Sequence, residues 1–177
     1  LDGQGRLSHD VMGPAPISPP RFSQGGGGLW STADDYLRFA RMLLADGEID
    51  GVRVLSAESV RQMRSDRLTD AQKRIPFLGM PYWQGRGFGL NLAVVTDPTQ
   101  STPLFGPGGV GSFTWPGAFG TWWQADPTAD LILIYLIQNA PDLGAEAGVA
   151  VAGNTSVAKL RTAQPKFVRR TYQALGL

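Results

Sequence analysis

Two apolar runs separated by a short turn dominate the second half of the chain. The run "AFGTWWQAD" ends at Asp126, and the run "LILIYLIQ" begins at Leu131. Both are rich in aromatic and β-branched residues, which favour strands. The Pro-containing stretch "DPTAD" between them is typical of a turn. The two runs therefore predict an antiparallel hairpin, so the fold has to contain an antiparallel sheet.

A strong helical pattern precedes these strands. The stretch "STADDYLRFARMLLADG" begins with Ser31 and Thr32, either of which can cap a helix, and Gly47 stops it. Asp50-Gly51 then predicts a small hairpin, and Ser56 is placed to cap a second helix. The apolar residues of the first helix share one face: Tyr36, Leu37, Ala40, Leu43 and Leu44.

The remaining segments complete an α+β pattern. Strands are predicted in "GFGLNLAVVTD" and "SFTW", whereas "DPTQSTPL" between them has the composition of a polar turn. A C-terminal helix is predicted to start near Pro165. The order of elements predicts an antiparallel sheet flanked by helices. The chain divides into a connector (1–28), a helical part with a small hairpin (29–84), antiparallel strands (85–138), an irregular connector (139–164) and a C-terminal helix (165–177).

The composition excludes several classes of function. The 177 residues carry a net charge of +1, which gives no field that would attract nucleic acid or anionic lipid. No apolar run approaches the ~20 residues of a membrane span. The chain has no cysteine and a single histidine, His9, so no metal cluster is expected. A chain without cysteine fits both the cytoplasm and the periplasm, and the start at Leu1 rather than Met suggests a processed or truncated product.

Glycines at 106, 108 and 111 match G-x-G-x-x-G, the pattern of a dinucleotide-binding loop. That loop works only between a buried strand and the N-terminus of a helix. Here the preceding stretch is polar, the following stretch "SFTW" has the pattern of a strand, and Pro107 removes one N–H donor. The glycines are instead expected to let another group approach the backbone closely.

Three other motifs match catalytic or binding patterns by residue type alone. Ser8, His9 and Asp10 are adjacent in sequence, whereas a catalytic triad needs groups that converge in space. Ser156 and Lys159 match the S-x-x-K pattern of penicillin-recognising enzymes, but they follow the last strand in a weakly patterned stretch, which favours an accidental match. The run of glycines at 25–28 favours a flexible loop over an anion site.

Three long stretches carry a resemblance to a known family. The stretch "GGGGLWSTADDYLRFARMLLADGEIDGVRVLSAESVRQM" resembles the middle of the serine β-lactamase and penicillin-binding-protein superfamily, in its class-C-like esterase branch. The stretch "GSFTWPGAFGTWWQADPTADLILIYLIQ" resembles the family's active-site strand and the hairpin after it, and "PKFVRRTYQALGL" resembles its C-terminal helix. The resemblance implies a serine hydrolase that forms an acyl-enzyme and needs no cofactor.

The same resemblance implies the site residues. Trp115, Pro116 and Gly117 stand where the family carries Lys-Thr-Gly or Trp-Gly-Gly. The backbone N–H of Ala118 then takes the oxyanion role, for which fixed donors are needed. Trp115 replaces the lysine that holds a substrate carboxylate in β-lactamases, so neutral esters or amides are the expected substrates. Pro116 cannot donate to a sheet ladder, which would fit an edge strand.

The family's nucleophile, base lysine and Tyr-x-Asn motif are not found at matching positions, so the chain resembles the C-terminal half of such an enzyme. It would supply the oxyanion strand and part of a substrate-binding wall that includes Trp30, Phe77, Tyr82 and Trp83. Its expected partner is a separate N-terminal half or a second copy, because a lone half exposes a sheet edge. Two alternatives stay open: a non-catalytic domain that binds a ligand or peptide, and a permuted enzyme that uses Ser156 and Lys159.

Overall fold

Helices and antiparallel strands make up the fold. A computed structural model describes residues 29–77, 79–117, 120–137 and 155–177. The side chains of Leu104 and of residues 155–161 are not part of this description. The described residues confirm the α+β class. In chain order the elements are α1 (Ala33–Leu44), β1 (Glu48–Ile49), β2 (Val52–Arg53), α2 (Ala57–Met63), α3 (Asp70–Lys73), β3 (Arg86–Phe88), β4 (Ala93–Val95), α4 (Pro98–Phe105), β5 (Phe113–Thr114), β6 (Trp122–Asp126), β7 (Leu131–Tyr135) and α5 (Thr155–Leu175).

Local side-chain chemistry sets the ends of the first elements as the sequence predicts. Thr32 caps α1 by accepting a hydrogen bond from the Asp35 N–H, and Ser56 caps α2 in the same way. Asp50 and Gly51 connect β1 to β2 with φ values of 50° and 78°. Positive φ at both turn residues is the geometry that lets a two-residue turn match the twist of its strands.

Five strands form one antiparallel sheet in the order β3-β4-β5-β6-β7. The longest pairing joins β6 to β7, from Trp122 opposite Tyr135 to Asp126 opposite Leu131. This pairing confirms the hairpin predicted from the two apolar runs. β5 lies in the middle of the sheet, so the expectation that this strand is an edge strand is wrong.

Three further segments differ from the sequence predictions. The single predicted strand "GFGLNLAVVTD" is a hairpin, because Asn91 has a φ of 65° and the Gly89 N–H donates to Leu92 O across the turn. The predicted turn "DPTQSTPL" is α4, whose Asp97 cap and Pro98 start are ordinary helix-initiating signals. α5 starts at Thr155 rather than near Pro165, so the end of the predicted connector is helical.

Alternation along the strands divides the core into two layers. On one face of the sheet, Trp123 and Phe113 pack against Leu43 of α1 and Val60 of α2. On the other face, the ring of Trp122 belongs to a cluster that α4 and α5 cover. Neighbouring residues of a strand point to opposite faces, so the adjacent Trp122 and Trp123 belong to different layers. Their strand therefore anchors both layers of the fold.

A buried polar network holds α5 against the sheet. The Asp126 carboxylate accepts hydrogen bonds from the Tyr172 hydroxyl at 2.5 Å and from the Gly109 N–H at 2.8 Å. The Thr128 N–H and hydroxyl also donate to it, at 2.8 and 2.7 Å. Burial alone would raise the pKa of Asp126, but these hydrogen bonds outweigh it and lower the pKa. Asp126 is therefore an ionised acceptor that links α5 to the turn between β6 and β7.

Across the described parts of the chain, no helix is both long enough and apolar enough to cross a membrane. The same residues contain no group of three or more His, Cys, Asp or Glu side chains that would hold a metal ion.

Candidate functional site

A cleft of about 310 Å³ opens where β5 ends and β6 begins. Tyr36 and Phe39 of α1 form one side, and Trp123 of β6 lies below them. The segment between β5 and β6 forms the opposite side, through Trp115, Pro116, Gly117 and Thr121. No charged side chain is among the described residues that line this cleft. The cleft therefore presents aromatic rings and backbone to a ligand, which suits an uncharged molecule.

Two backbone hydrogen bonds join the described residues on either side of positions 118 and 119. The Gly117 N–H donates to Thr121 O at 2.8 Å, and the Gly120 N–H donates to Gly117 O at 3.0 Å. A Cβ added at Gly117 would overlap the Thr121 hydroxyl, so a side chain at this position would displace Thr121. Pro116 lies beyond Thr114, the last paired residue of β5, so its missing N–H removes no ladder bond. Ala118 lies outside the described residues, and its oxyanion role stays a prediction.

The predicted aromatic residues separate into two places. Trp115 contacts Phe77 and Tyr82, with ring centroids 5.9 and 6.1 Å apart, and Trp83 lies 4.9 Å from Tyr82. These rings form one aromatic cluster, in which Trp115 is the member that also borders the cleft. Trp30 is 76% exposed just before α1, and the structure does not bring it to the cleft.

Sequence reasoning missed two aromatic residues of the cleft, Tyr36 and Phe39. Tyr36 was assigned to the apolar stripe of α1, and Phe39 lies three residues later, where two helical residues are neighbours. Their rings are 5.6 Å apart, and each packs edge-on against Trp123. Burial raises the pKa of Tyr36, more than its hydrogen bond with Trp123 lowers it. The phenol is therefore neutral at physiological pH, in keeping with the uncharged lining.

The glycines of the G-x-G-x-x-G pattern contact the protein itself. A Cβ at Gly109 would overlap Thr128, in the turn after β6, and one at Gly108 would press on Gln124. Gly106 ends α4 with a φ of 87°, and Gly111 has a φ of 85° in the turn before β5. Because a strand rather than a helix follows, the segment lacks the helix N-terminus that a phosphate site requires.

The other motifs give no geometry to test. Ser156 and Lys159 fall within the first five residues of α5, and their side chains are outside the described residues. Ser8, His9, Asp10 and the glycines at 25–28 also lie outside the described residues.

Comparison with known proteins places this geometry in a family. The profile of the Beta-lactamase family matches residues 2–154. Protein Rv1367c of Mycobacterium tuberculosis (strain ATCC 25618 / H37Rv) is 75% identical over 177 residues, which cover 100% of this chain and 44% of that protein. The protein MT1414 of strain CDC 1551 gives the same figures. The chain therefore spans less than half the length of these relatives.

Solved structures support the same fold. Simvastatin synthase (LovD) from Aspergillus terreus matches with a TM-score of 0.64 and 20% identity, over 97% of this chain and 39% of that chain. A LovD9 mutant of the same enzyme matches with a TM-score of 0.54 and 19% identity, over 80% of this chain and 34% of that chain. With the family profile covering most of its length, this chain belongs to the beta-lactamase family and shares its fold over part of the length of these proteins.

Proposed function

We propose that this chain is the C-terminal segment of a serine hydrolase that cleaves neutral esters or amides through an acyl-enzyme. The observation that carries the proposal is the uncharged cleft bordered by Trp115, Pro116 and Gly117. A site for carboxylate-bearing substrates would need a cation near the bound carboxylate. The indole of Trp115 offers stacking and one N–H donor instead.

In this proposal the chain contributes electrostatics and shape, and the remaining polypeptide contributes the nucleophile. A serine hydroxyl attacks the substrate carbonyl carbon, a base takes the hydroxyl proton, and the carbonyl oxygen becomes an oxyanion. The Ala118 N–H donates to that oxygen. The tetrahedral intermediate then expels the protonated alcohol or amine, and water hydrolyses the acyl-enzyme to the acid and free serine. Losing one oxyanion donor typically slows such reactions by ~10²–10³-fold.

The test combines active-site labelling with a comparison of substrates. A fluorophosphonate should leave the isolated chain unlabelled and should label a serine of the N-terminal segment when that segment, taken from the mycobacterial relative, is present. The assembled protein should turn over a short-chain aryl ester at least ~10-fold faster than a carboxylate-bearing β-lactam, since uncompensated burial of a charge is costly. Equal turnover of the two substrates would contradict the neutral-substrate proposal. An adduct on Ser156 would replace the proposal with a permuted enzyme.

A second candidate function is a non-catalytic domain that binds a neutral ligand or peptide. The aromatic lining of the cleft favours it, because such surfaces bind without needing a nucleophile. The two functions give different results in one experiment. If the chain is a binding domain, a neutral ester should quench its tryptophan fluorescence. The ester should then stay intact even when the N-terminal segment is present.

Phe39 provides a test of the cleft wall. In the assembled protein, Phe39→Ala should lower kcat/KM for an aryl ester by about 10-fold, because it removes apolar contact from the pocket. Leu37→Ala is the matched control, since Leu37 lies on the same helix and is partly exposed outside the cleft lining. Steady-state kinetics with the aryl ester give kcat/KM for both variants. Equal effects of the two substitutions would show that the cleft does not hold the substrate.

A further inference from the structure

Arg86 of β3 is a buried cation that forms no ion pair with any described residue. The residue is only 1% exposed, and its Nε–H finds no acceptor in the part of the chain that the structure describes. No acidic side chain among the described residues acts on its pKa, which burial lowers. A buried charge without a counter-charge is costly, so native proteins almost always pair it. The unpaired guanidinium therefore calls for an explanation.

Aromatic rings surround the guanidinium. Its central carbon lies 4.1 Å from the ring centroid of Phe105, and 5.4 and 5.9 Å from those of Tyr82 and Trp122. Cation–π contacts of this kind are attractive and are strongest when the cation is desolvated. They stabilise the face of the guanidinium but supply no acceptor for the N–H groups at its edge.

Two neighbours of Arg86 also carry buried polar atoms without partners. The Tyr82 hydroxyl and the Trp122 Nε1–H make no hydrogen bond with any described residue. Together with Arg86 they bring three unsatisfied donor groups into one cluster of side chains. Native proteins leave few buried polar atoms unsatisfied, so three on Arg86 and the two rings beside it point to a shared missing acceptor.

We propose that Arg86, Tyr82 and Trp122 form a buried site for a carboxylate. A carboxylate offers two oxygens, which match the paired N–H groups of a guanidinium and leave lone pairs for a phenol or indole donor. Its charge neutralises Arg86 inside a low-dielectric core. Its source is either a free small carboxylic acid or an Asp or Glu side chain of the polypeptide that the longer relatives carry beyond the length of this chain.

Entry to this site does not require the sheet to open. Tyr82 lies in the loop before β3, where its N–H donates to Met80 O and the Gln84 N–H donates to Pro81 O. These backbone bonds stay within the loop, so a displacement of Tyr82 would break no strand pairing, although it would separate its ring from Trp83 and Phe105. The lining of the cleft includes Trp122 but neither Arg86 nor Tyr82, so the two sites share one ring. The inference does not rest on the proposed hydrolase chemistry.

The experiment measures thermal unfolding of the isolated chain in formate, acetate or chloride at equal ionic strength. If free carboxylates occupy the site, Tm rises by about 3 °C at ten times Kd, and the rise disappears in Arg86→Met. The signal of the Arg86 Nε–H in a ¹⁵N spectrum should shift over the same titration, which tests the site without a substitution. In chloride, Arg86→Met should have a Tm at or above that of the unsubstituted chain, because it removes an unpaired buried charge.

A second arm adds the N-terminal segment of the mycobacterial relative in place of small acids. If a side-chain carboxylate occupies the site, Arg86→Met weakens association with that segment by about 100-fold. Arg67→Met, which alters an exposed arginine, is the control for both arms and should change nothing. The proposal fails if neither arm depends on Arg86. It also fails if the carboxylate effect persists in Arg86→Met, because the acid then binds elsewhere.

Discussion

Asp126→Ala is expected to lower the free energy of unfolding by about 4 kcal/mol, because the buried Tyr172 hydroxyl and the part-buried donors of Gly109 and Thr128 lose their acceptor at once. Asp126 is only 1% exposed and accepts hydrogen bonds from Tyr172, Gly109 and Thr128. The contact with Tyr172 spans 46 residues of sequence, so its loss also weakens the packing of α5 on the sheet. Urea unfolding of the isolated chain measures the effect.

Asp130 provides the matched control for Asp126, because it is an exposed aspartate in the same turn. Asp126→Asn should cost about 2 kcal/mol, since the amide keeps one acceptor oxygen. Asp130→Asn should stay within about 0.5 kcal/mol, and asparagine tolerates the φ of 48° at that position. Equal costs for the two asparagine variants would mean that the network contributes nothing to stability.

The same network predicts a pH dependence. The pKa of Asp126 is lower in the folded state than in the unfolded state. Its contribution to the free energy of unfolding is therefore present above the unfolded pKa of about 3.9 and is lost as pH falls through the folded pKa. The pKa of Tyr172 is raised, by burial first and then by its hydrogen bond to Asp126. That contribution is present below the unfolded pKa of about 10 and declines as pH rises above it. In Asp126→Asn, the free energy of unfolding should depend less steeply on pH in both the acidic and the alkaline range.

Trp123→Ala is the second large expected effect, again about 4 kcal/mol of unfolding free energy. Trp123 is 5% exposed, and its ring packs against Tyr36, Phe39 and Phe113 with centroids 5.6 to 5.9 Å apart. Truncation to alanine removes the ring against which Tyr36 and Phe39 of α1 pack. Because Tyr36 and Phe39 form one side of the cleft, ligand binding at the cleft should fall with stability.

Trp30→Ala is the control for Trp123→Ala, because it removes the same side chain from a position that is 76% exposed. It should change the unfolding free energy by no more than about 0.5 kcal/mol. Denaturant unfolding followed by far-UV circular dichroism avoids the change in tryptophan fluorescence. A cost for Trp30→Ala as large as that for Trp123→Ala would show that the segment before α1 is packed against the protein.

The candidate site was only partly predictable from sequence. Trp115, Pro116 and Gly117 were identified through the family resemblance, and the structure places all three at the cleft. Phe39 had no sequence signal, because it lies outside the apolar stripe of α1 and reaches the cleft only when α1 packs on β6. Arg86 gave no signal either, since burial of a charged residue depends on which side chains surround it.

The sequence alone determined the features whose partners lie within a few residues. Thr32 and Ser56 cap the helices that follow them, Asp50 and Gly51 form the first hairpin, and β6 pairs with β7 across a short turn. Only the tertiary structure decided the interior position of β5, the meeting of α1 with Trp123, and the burial of Arg86. Local features follow from hydrogen bonds that a short segment satisfies by itself, whereas the others depend on which distant apolar faces pack together to exclude water.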